Sequence, residues 1–153
     1  MTRIVLISDT HGLLRPEALA FARGADHIIH AGDIGNASIL EQLAAIAPVT
    51  AVRGNNDKGA WAEAIADTEF VKIAGVLLYV LHDLQELAID PAAAGVQAVI
   101  TGHSHKPIVT RRDSVLYVNP GSAGPRRFRL PVCAGELRVD GGQLEARTVD
   151  LLG

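Results

Sequence analysis

Short apolar runs alternate with polar loops and helix-like segments along the first half of the chain. The apolar runs predict three strands, at residues 4–7, 27–30 and 49–52. Helices are predicted between them, from Pro16 to Ala22 and from Ala37 to Ala47, where apolar residues recur every three or four positions. This alternation is typical of βαβ units on a largely parallel sheet.

The second half of the chain has a pattern that favours hairpins. Three pairs of apolar runs flank short turns, at residues 69–73 with 76–81, 108–112 with 115–118, and 132–139 with 144–149. A further strand is predicted at residues 98–101, and a helical segment at 84–94 that Pro91 breaks or kinks. No linker, low-complexity tract or repeat divides the pattern, so we predict one α/β domain over residues 1–153.

Composition narrows the classes of function. The chain is 48% hydrophobic and 20% charged, which excludes intrinsic disorder. One Cys against six His excludes disulfide and thiolate scaffolds but permits imidazole and carboxylate sites. A net charge of −3 argues against strong affinity for nucleic acid. No apolar run approaches the ~20 residues that span a bilayer, so we expect a cytoplasmic protein without membrane contact.

Five successive predicted strands end at side chains that can bind a metal ion. These side chains are Asp9 with His11, Asp33, Asn55, His82, and His103 with His105. The carboxyl ends of parallel strands meet at one edge of a sheet, so ligands distant in sequence can converge there. Residues two apart in an extended chain point the same way, so each pair is expected to grip one site. Seven ligands exceed the needs of one tetrahedral ion and predict two ions that share a carboxylate.

The motifs together resemble those of the calcineurin-like metallophosphoesterases, and in particular the small single-domain phosphodiesterases related to the retromer scaffold subunit. In chain order they are Asp9-x-His11, Gly32-Asp33, Gly54-Asn55-Asn56-Asp57, His82, Gly102-His103-Ser104-His105 and Asn119-Pro120-Gly121-Ser122. The resemblance implies an α/β fold in which two sheets form a β-sandwich flanked by helices. The βαβ units and the C-terminal hairpins would supply the strands.

The resemblance also implies a role for each ligand. It assigns Asp9, His11 and His105 to the first ion, Asn55, His82 and His103 to the second, and Asp33 to both. The implied activity is hydrolysis of a small phosphodiester by a metal-bridging hydroxide that attacks phosphorus in line, with Asp33, Asn55 and His103 as the catalytic residues. We expect two divalent ions per chain, Mn²⁺ first, with Zn²⁺, Fe²⁺ and Ni²⁺ as alternatives.

Other residues are candidates for support of the site or contact with the substrate, namely Asn56, Asp57, His30 and Asn119. In many larger family members, the residue after the metal-binding Asn is a His that protonates the leaving group. This chain has Asn56 there, and an Asn side chain cannot donate a proton as an acid. His30 either supports the site or is a core histidine, and Asn119 either positions a ligand loop or forms a turn. Asp83 either caps the next helix, which we favour, or accepts a hydrogen bond from a ligand histidine.

Two further alternatives stay open at the level of sequence. The first is a protein-binding scaffold of the same fold that lacks catalysis, although the chain retains every expected ligand. The second concerns assembly, since a homo-oligomer could pair through an exposed edge of the C-terminal β region.

Overall fold

The computed structural model describes residues 1–153 and contains ten strands in two five-stranded sheets. The strands are β1 (Thr2–Ile7), β2 (His27–His30), β3 (Val49–Ala51), β4 (Thr68–Ile73), β5 (Val76–Leu81), β6 (Ala98–Ile100), β7 (Ile108–Arg112), β8 (Val115–Asn119), β9 (Cys133–Asp140) and β10 (Gln143–Asp150). The helices are α1 (Pro16–Ala22), α2 (Ala37–Ala44) and α3 (Ala60–Glu63). None of them has the length and hydrophobicity that crossing a bilayer requires.

Both sheets are mixed. The first has the order β10-β9-β1-β2-β3, in which β1, β2 and β3 are parallel and the hairpin β9–β10 adds antiparallel strands. The second has the order β4-β5-β6-β8-β7, with a parallel centre of β5, β6 and β8 and antiparallel edges. The two-sheet architecture and the three predicted hairpins are confirmed. The expectation of a largely parallel sheet is correct only for the triplets β1-β2-β3 and β5-β6-β8.

Strand β1 is buried on both faces, which explains its unbroken apolar run. Ile4 and Leu6 point into the core between the two sheets, where they join Leu78 and Ile100. Their neighbours in β1 point the other way, into a second core that is covered by the helices and includes Ala18 and Leu43. The loops that follow the two parallel triplets carry every ligand predicted from the sequence.

Two predicted helices are shorter than expected. The segment 84–94 contains only a single 3-10 turn, Leu84–Glu86, followed by turns. Pro91 lacks a backbone N–H and disfavours helical geometry in the residue before it, so the apolar spacing there does not extend a helix. Helix α2 ends at Ala44 rather than at residue 47, a few residues before Pro48.

Glu136 on β9 is a buried carboxylate surrounded by three arginines. Its side-chain oxygens accept hydrogen bonds from Nε of Arg3 at 2.6 Å, of Arg138 at 2.7 Å and of Arg147 at 3.1 Å. Burial alone would raise the pKa of Glu136, but the arginines outweigh it and lower that pKa to about 2. The cluster therefore joins β1, β9 and β10 through charge.

This cluster should make the folded state less stable in acid. A folded pKa of about 2 lies below the ordinary 4.5, so the stabilisation is complete above that ordinary value and is lost as the pH falls toward about 2. We expect Glu136→Gln to lower the free energy of unfolding by roughly 2 kcal/mol at neutral pH, less at acid pH. Urea denaturation of both proteins across this pH range measures the difference, and a constant difference would contradict the prediction.

Candidate metal centre

Six of the predicted ligands form two adjacent groups at the ends of the parallel strands. The first group consists of Asp9, His11 and His105, and the second of Asp33, His82 and His103. Within each group, one potential ligand atom from every residue lies within 4.8 Å of the others. The seventh residue, Asn55, lines a cavity together with His82 and His103.

The first group is centred on the buried carboxylate of Asp9. Its Oδ1 lies 3.4 Å from Nε2 of His105 and 3.6 Å from Nε2 of His11. The two imidazole nitrogens are themselves 3.3 Å apart. Three ligand-type atoms from two loops that are far apart in sequence thus face a common point.

The carboxylate of Asp33 lies between the two groups. Its Oδ2 is 3.2 Å from Nε2 of His82, in the second group, and 3.7 Å from Nε2 of His11, in the first. One carboxylate therefore contacts imidazoles of both groups. This is the position that a bridging ligand requires.

Five of the candidate ligands adopt left-handed backbone geometry. Their φ values lie between 45° and 72°, and the residues are Asp9, His11, Asp33, His103 and His105. This region costs free energy for residues other than glycine and is concentrated at functional sites. The extended-chain argument for the His103/His105 pair is therefore wrong, because these two side chains turn into different groups.

Two buried polar atoms of the ligand groups, Asp9 Oδ1 and His82 Nε2, lie 3.9 Å apart and have no hydrogen-bond partner. Buried polar atoms are normally satisfied, so such a cluster points to a missing binding partner. Carboxylate oxygens and imidazole nitrogens are ligands that first-row divalent metals accept. The residues therefore fit a metal centre.

The ionisation of the site also favours cations. Burial opposes ionisation of Asp9, but the nearby imidazoles of His105 and His11 lower its pKa well below the usual range. The carboxylate of Asp9 in turn raises the pKa of His11. Burial lowers the pKa of His82, yet Asp33 outweighs it and the net shift is upward. The ionised carboxylates thus favour a cation in the cluster, either a protonated histidine or a metal ion.

Asp57 connects the loops that carry Asp33 and Asn55. Its buried carboxylate accepts hydrogen bonds from the backbone N–H groups of Ile34 at 2.9 Å, Gly35 at 3.0 Å and Gly54 at 2.9 Å. The carboxylate thus links the two loops through their backbones and does not lie among the ligand atoms.

Asn56 contacts Asp33 directly. Its backbone N–H donates to Asp33 Oδ1 at 2.9 Å, and its side-chain Nδ2 donates to Asp33 Oδ2 at 3.2 Å. Both bonds orient the carboxylate that lies between the two groups.

Two other candidates hold ligand loops by hydrogen bonds. Asn119 donates from Nδ2 to the carbonyl of Gly102 at 2.9 Å and to Ser104 Oγ at 3.0 Å, which ties β8 to the loop of His103 and His105. His30 is fully buried, and its Nε2 lies 3.0 Å from Thr10 Oγ1. Burial lowers the pKa of His30 to about 4, so its side chain is neutral at neutral pH and supports the loop of Thr10 from within the core.

Sequence reasoning missed one support and left another open. Ser8 was not predicted, although its Oγ donates to Asp9 Oδ2 at 2.7 Å. Its only sequence signal is its place between a buried strand and a ligand. Asp83 caps the 3-10 turn by accepting from the N–H of Gln85 at 3.0 Å, as favoured, and its Oδ2 also lies 3.8 Å from His103 Nε2.

The fold and the site together define a class of protein. The model of the calcineurin-like phosphoesterase superfamily domain matches residues 2–142, and the chain belongs to this family. A probable metallophosphoesterase from Methanothermobacter thermautotrophicus is 33% identical over 158 residues, which cover 95% of this chain and 91% of the relative. The predicted resemblance is thereby confirmed.

Solved structures share the architecture. An archaeal phosphodiesterase superposes with a TM-score of 0.79 at 23% identity, covering 97% of this chain and 100% of that one. Vps29 from Entamoeba histolytica, solved in complex with Zn²⁺, superposes with a TM-score of 0.72 at 21% identity, covering 98% and 99% of the two chains. These likenesses confirm the predicted two-sheet fold.

Proposed function

We propose that residues 1–153 form one metallophosphoesterase domain that hydrolyses small phosphodiesters with two divalent metal ions. The observation that carries this proposal is the carboxylate of Asp33, whose Oδ2 contacts His82 of one ligand group and His11 of the other. Membership of the phosphoesterase family supports a hydrolase. When bound, two such ions activate water and neutralise charge that develops on the phosphoryl oxygens.

Each ion would be held by ligands from loops of both sheets. We assign Asp9, His11 and His105 to one ion, Asn55, His82 and His103 to the other, and Asp33 to both. The two groups of clustered ligand atoms support this division. The mixed oxygen and nitrogen set suits Mn²⁺, which we propose first, and Zn²⁺, which the Entamoeba relative binds.

The charge balance of the loaded site suits a phosphodiester. Asp9 and Asp33 have lowered pKa values and are ionised, so they compensate only half the charge of two divalent ions. The remaining positive charge would attract a phosphate monoanion even though the chain carries a net charge of −3. Asn55 and the half-exposed His103 lie at the solvent-facing side of the site, where they would contact the substrate, whereas Asp33 is buried.

The function is tested by metal analysis and by hydrolysis of bis(p-nitrophenyl) phosphate. We expect chelation to remove activity and Mn²⁺ to restore it. Metal binding should also raise the midpoint of thermal unfolding, because the ions bind only the folded site. Absence of hydrolysis with Mn²⁺, Zn²⁺, Fe²⁺ and Ni²⁺ alike would overturn the proposal.

Asn56 makes the rate depend on the leaving group. Its side chain donates to Asp33 and is no acid, so it cannot protonate a departing alkoxide. We expect the chemical step to slow steeply as the pKa of the leaving alcohol rises, and aryl esters to react fastest. Single-turnover rates for a series of substituted phenyl methyl phosphates measure this slope, and similar rates across the series would contradict it.

The alternative is a protein-binding scaffold of the same fold, which the likeness to Vps29 supports. The complete ligand set and its unpartnered buried atoms favour the hydrolase. The two functions differ in their need for Asp33, because a scaffold would not depend on an ionised carboxylate between two histidines. A homo-oligomer stays a proposal, and analytical ultracentrifugation would test it.

A further inference from the structure

A cavity of about 520 Å³ opens beside the His103 loop, outside the ligand cluster. The exposed Thr110 and Arg112 of β7 and Tyr117 of β8 line one side, and Leu84 lines another. Gly102, His103 and Asn119 line it as well, so the cavity is continuous with the loop that carries a proposed metal ligand. A molecule bound at the metal centre can therefore extend into it.

The wall of the cavity suits a flat, uncharged group. The guanidinium carbon of Arg112 lies 4.2 Å from the centroid of the Tyr117 ring, which produces a flat stacked surface. Asp83 also lines the cavity, and its carboxylate offsets the positive charge of Arg112. Leu84 and Ile108 add apolar surface. Such a wall recognises a ring system better than a charged chain.

We propose that this cavity binds one organic substituent of the phosphodiester, a flat and largely apolar ring. The proposal rests on the proposed function, since the phosphate would lie at the metal centre. The volume lies within the usual range for small-molecule sites, about 300–1,000 Å³, and accommodates one ring system with a small extension. The substrate class is then a phosphodiester with at least one aromatic substituent, as in an aryl or nucleoside ester.

Thr110 offers a way to fill the cavity without touching the ligands. It lies on β7 directly opposite Tyr117 of β8, so the two side chains share a face. Val109, its neighbour on the same strand, points to the other face and does not line the cavity. Thr110→Trp should therefore fill the cavity, whereas Val109→Trp adds the same bulk to an exposed position of the same strand.

Calorimetric titration of the Zn²⁺-loaded protein with diphenyl phosphate and with dimethyl phosphate tests the proposal, under conditions in which neither diester is hydrolysed during the titration. The two ligands carry the same charge and differ in their substituents. We expect wild type to bind diphenyl phosphate at least about tenfold more tightly, because a phenyl ring leaves water. Thr110→Trp should abolish this preference and leave the affinity for dimethyl phosphate unchanged, and Val109→Trp should preserve both.

Equal affinities in wild type would overturn the proposal, as would a preference that persists in Thr110→Trp. Circular dichroism of both variants excludes misfolding as the cause of a loss. Failure of the proposed function is a separate result. A protein that prefers diphenyl phosphate but hydrolyses no chromogenic diester supports the ring-binding cavity and overturns the hydrolase.

Discussion

Asp33→Asn should reduce metal-dependent hydrolysis of bis(p-nitrophenyl) phosphate by at least about a thousandfold and lower the metal content of the purified protein. The Asp33 carboxylate lies 3.2 Å from His82 and 3.7 Å from His11, so it is within reach of both ligand clusters. An amide carries no charge and offers a single acceptor oxygen. It can neither compensate two cations nor bridge them.

The matched control is Asp113→Asn, the same chemical change in the exposed turn between β7 and β8. Asn tolerates the left-handed geometry at that position, so activity and metal content should stay at wild-type values. Metal content is measured by atomic emission, and folding by circular dichroism. If Asp33→Asn kept normal activity, Asp33 could not be the shared ligand.

Asp57→Ala should destabilise the fold by about 3 kcal/mol and reduce activity strongly, even though Asp57 binds no metal. The substitution leaves the backbone N–H groups of Ile34, Gly35 and Gly54 without their common acceptor in a buried setting. Each unsatisfied buried donor costs on the order of 1 kcal/mol or more. The loops of Asp33 and Asn55 would also lose the link that sets their spacing.

Two variants check this interpretation by urea denaturation. Asp57→Asn retains one acceptor oxygen and should lose about half as much stability. Asp90→Ala removes an exposed carboxylate that accepts from one backbone N–H, that of Ala93, and should cost only about 0.5 kcal/mol. A loss in Asp57→Ala no larger than in Asp90→Ala would contradict the role of Asp57 as the link between the loops.

Much of the fold follows from local patterns. The apolar run of β1 and the three hairpins were predictable, because a strand buried on both faces and a two-residue turn each leave a local signature. The prediction of a helix at 84–94 was wrong. The apolar spacing of this segment favours a helix, but Pro91 lacks the backbone N–H that a helix needs, and this effect prevails. The pairing of β9 with β1 has no such signature, since it joins residues more than a hundred positions apart.

For the site, the order and chemical type of the ligands could be predicted from the sequence. Polar residues that directly follow buried strands have few structural reasons to recur, so Asp9, Asp33, His82 and His103 could be identified as a set. The supports could be predicted only in part, since Asp57 was a candidate and Ser8 was missed. Both act through hydrogen bonds at the site, and which groups these bonds join depends on distances that the chain order does not contain.

The amino-acid sequence thus specified which side chains are available for metal chemistry and at which end of the sheets they emerge. The folded structure specified how they are divided. His103 and His105 are two residues apart, yet left-handed turns direct them to different ligand groups. Asp33 comes to lie between His11 and His82 because the two sheets face each other across one core. Both outcomes depend on long-range packing, which local sequence patterns do not encode.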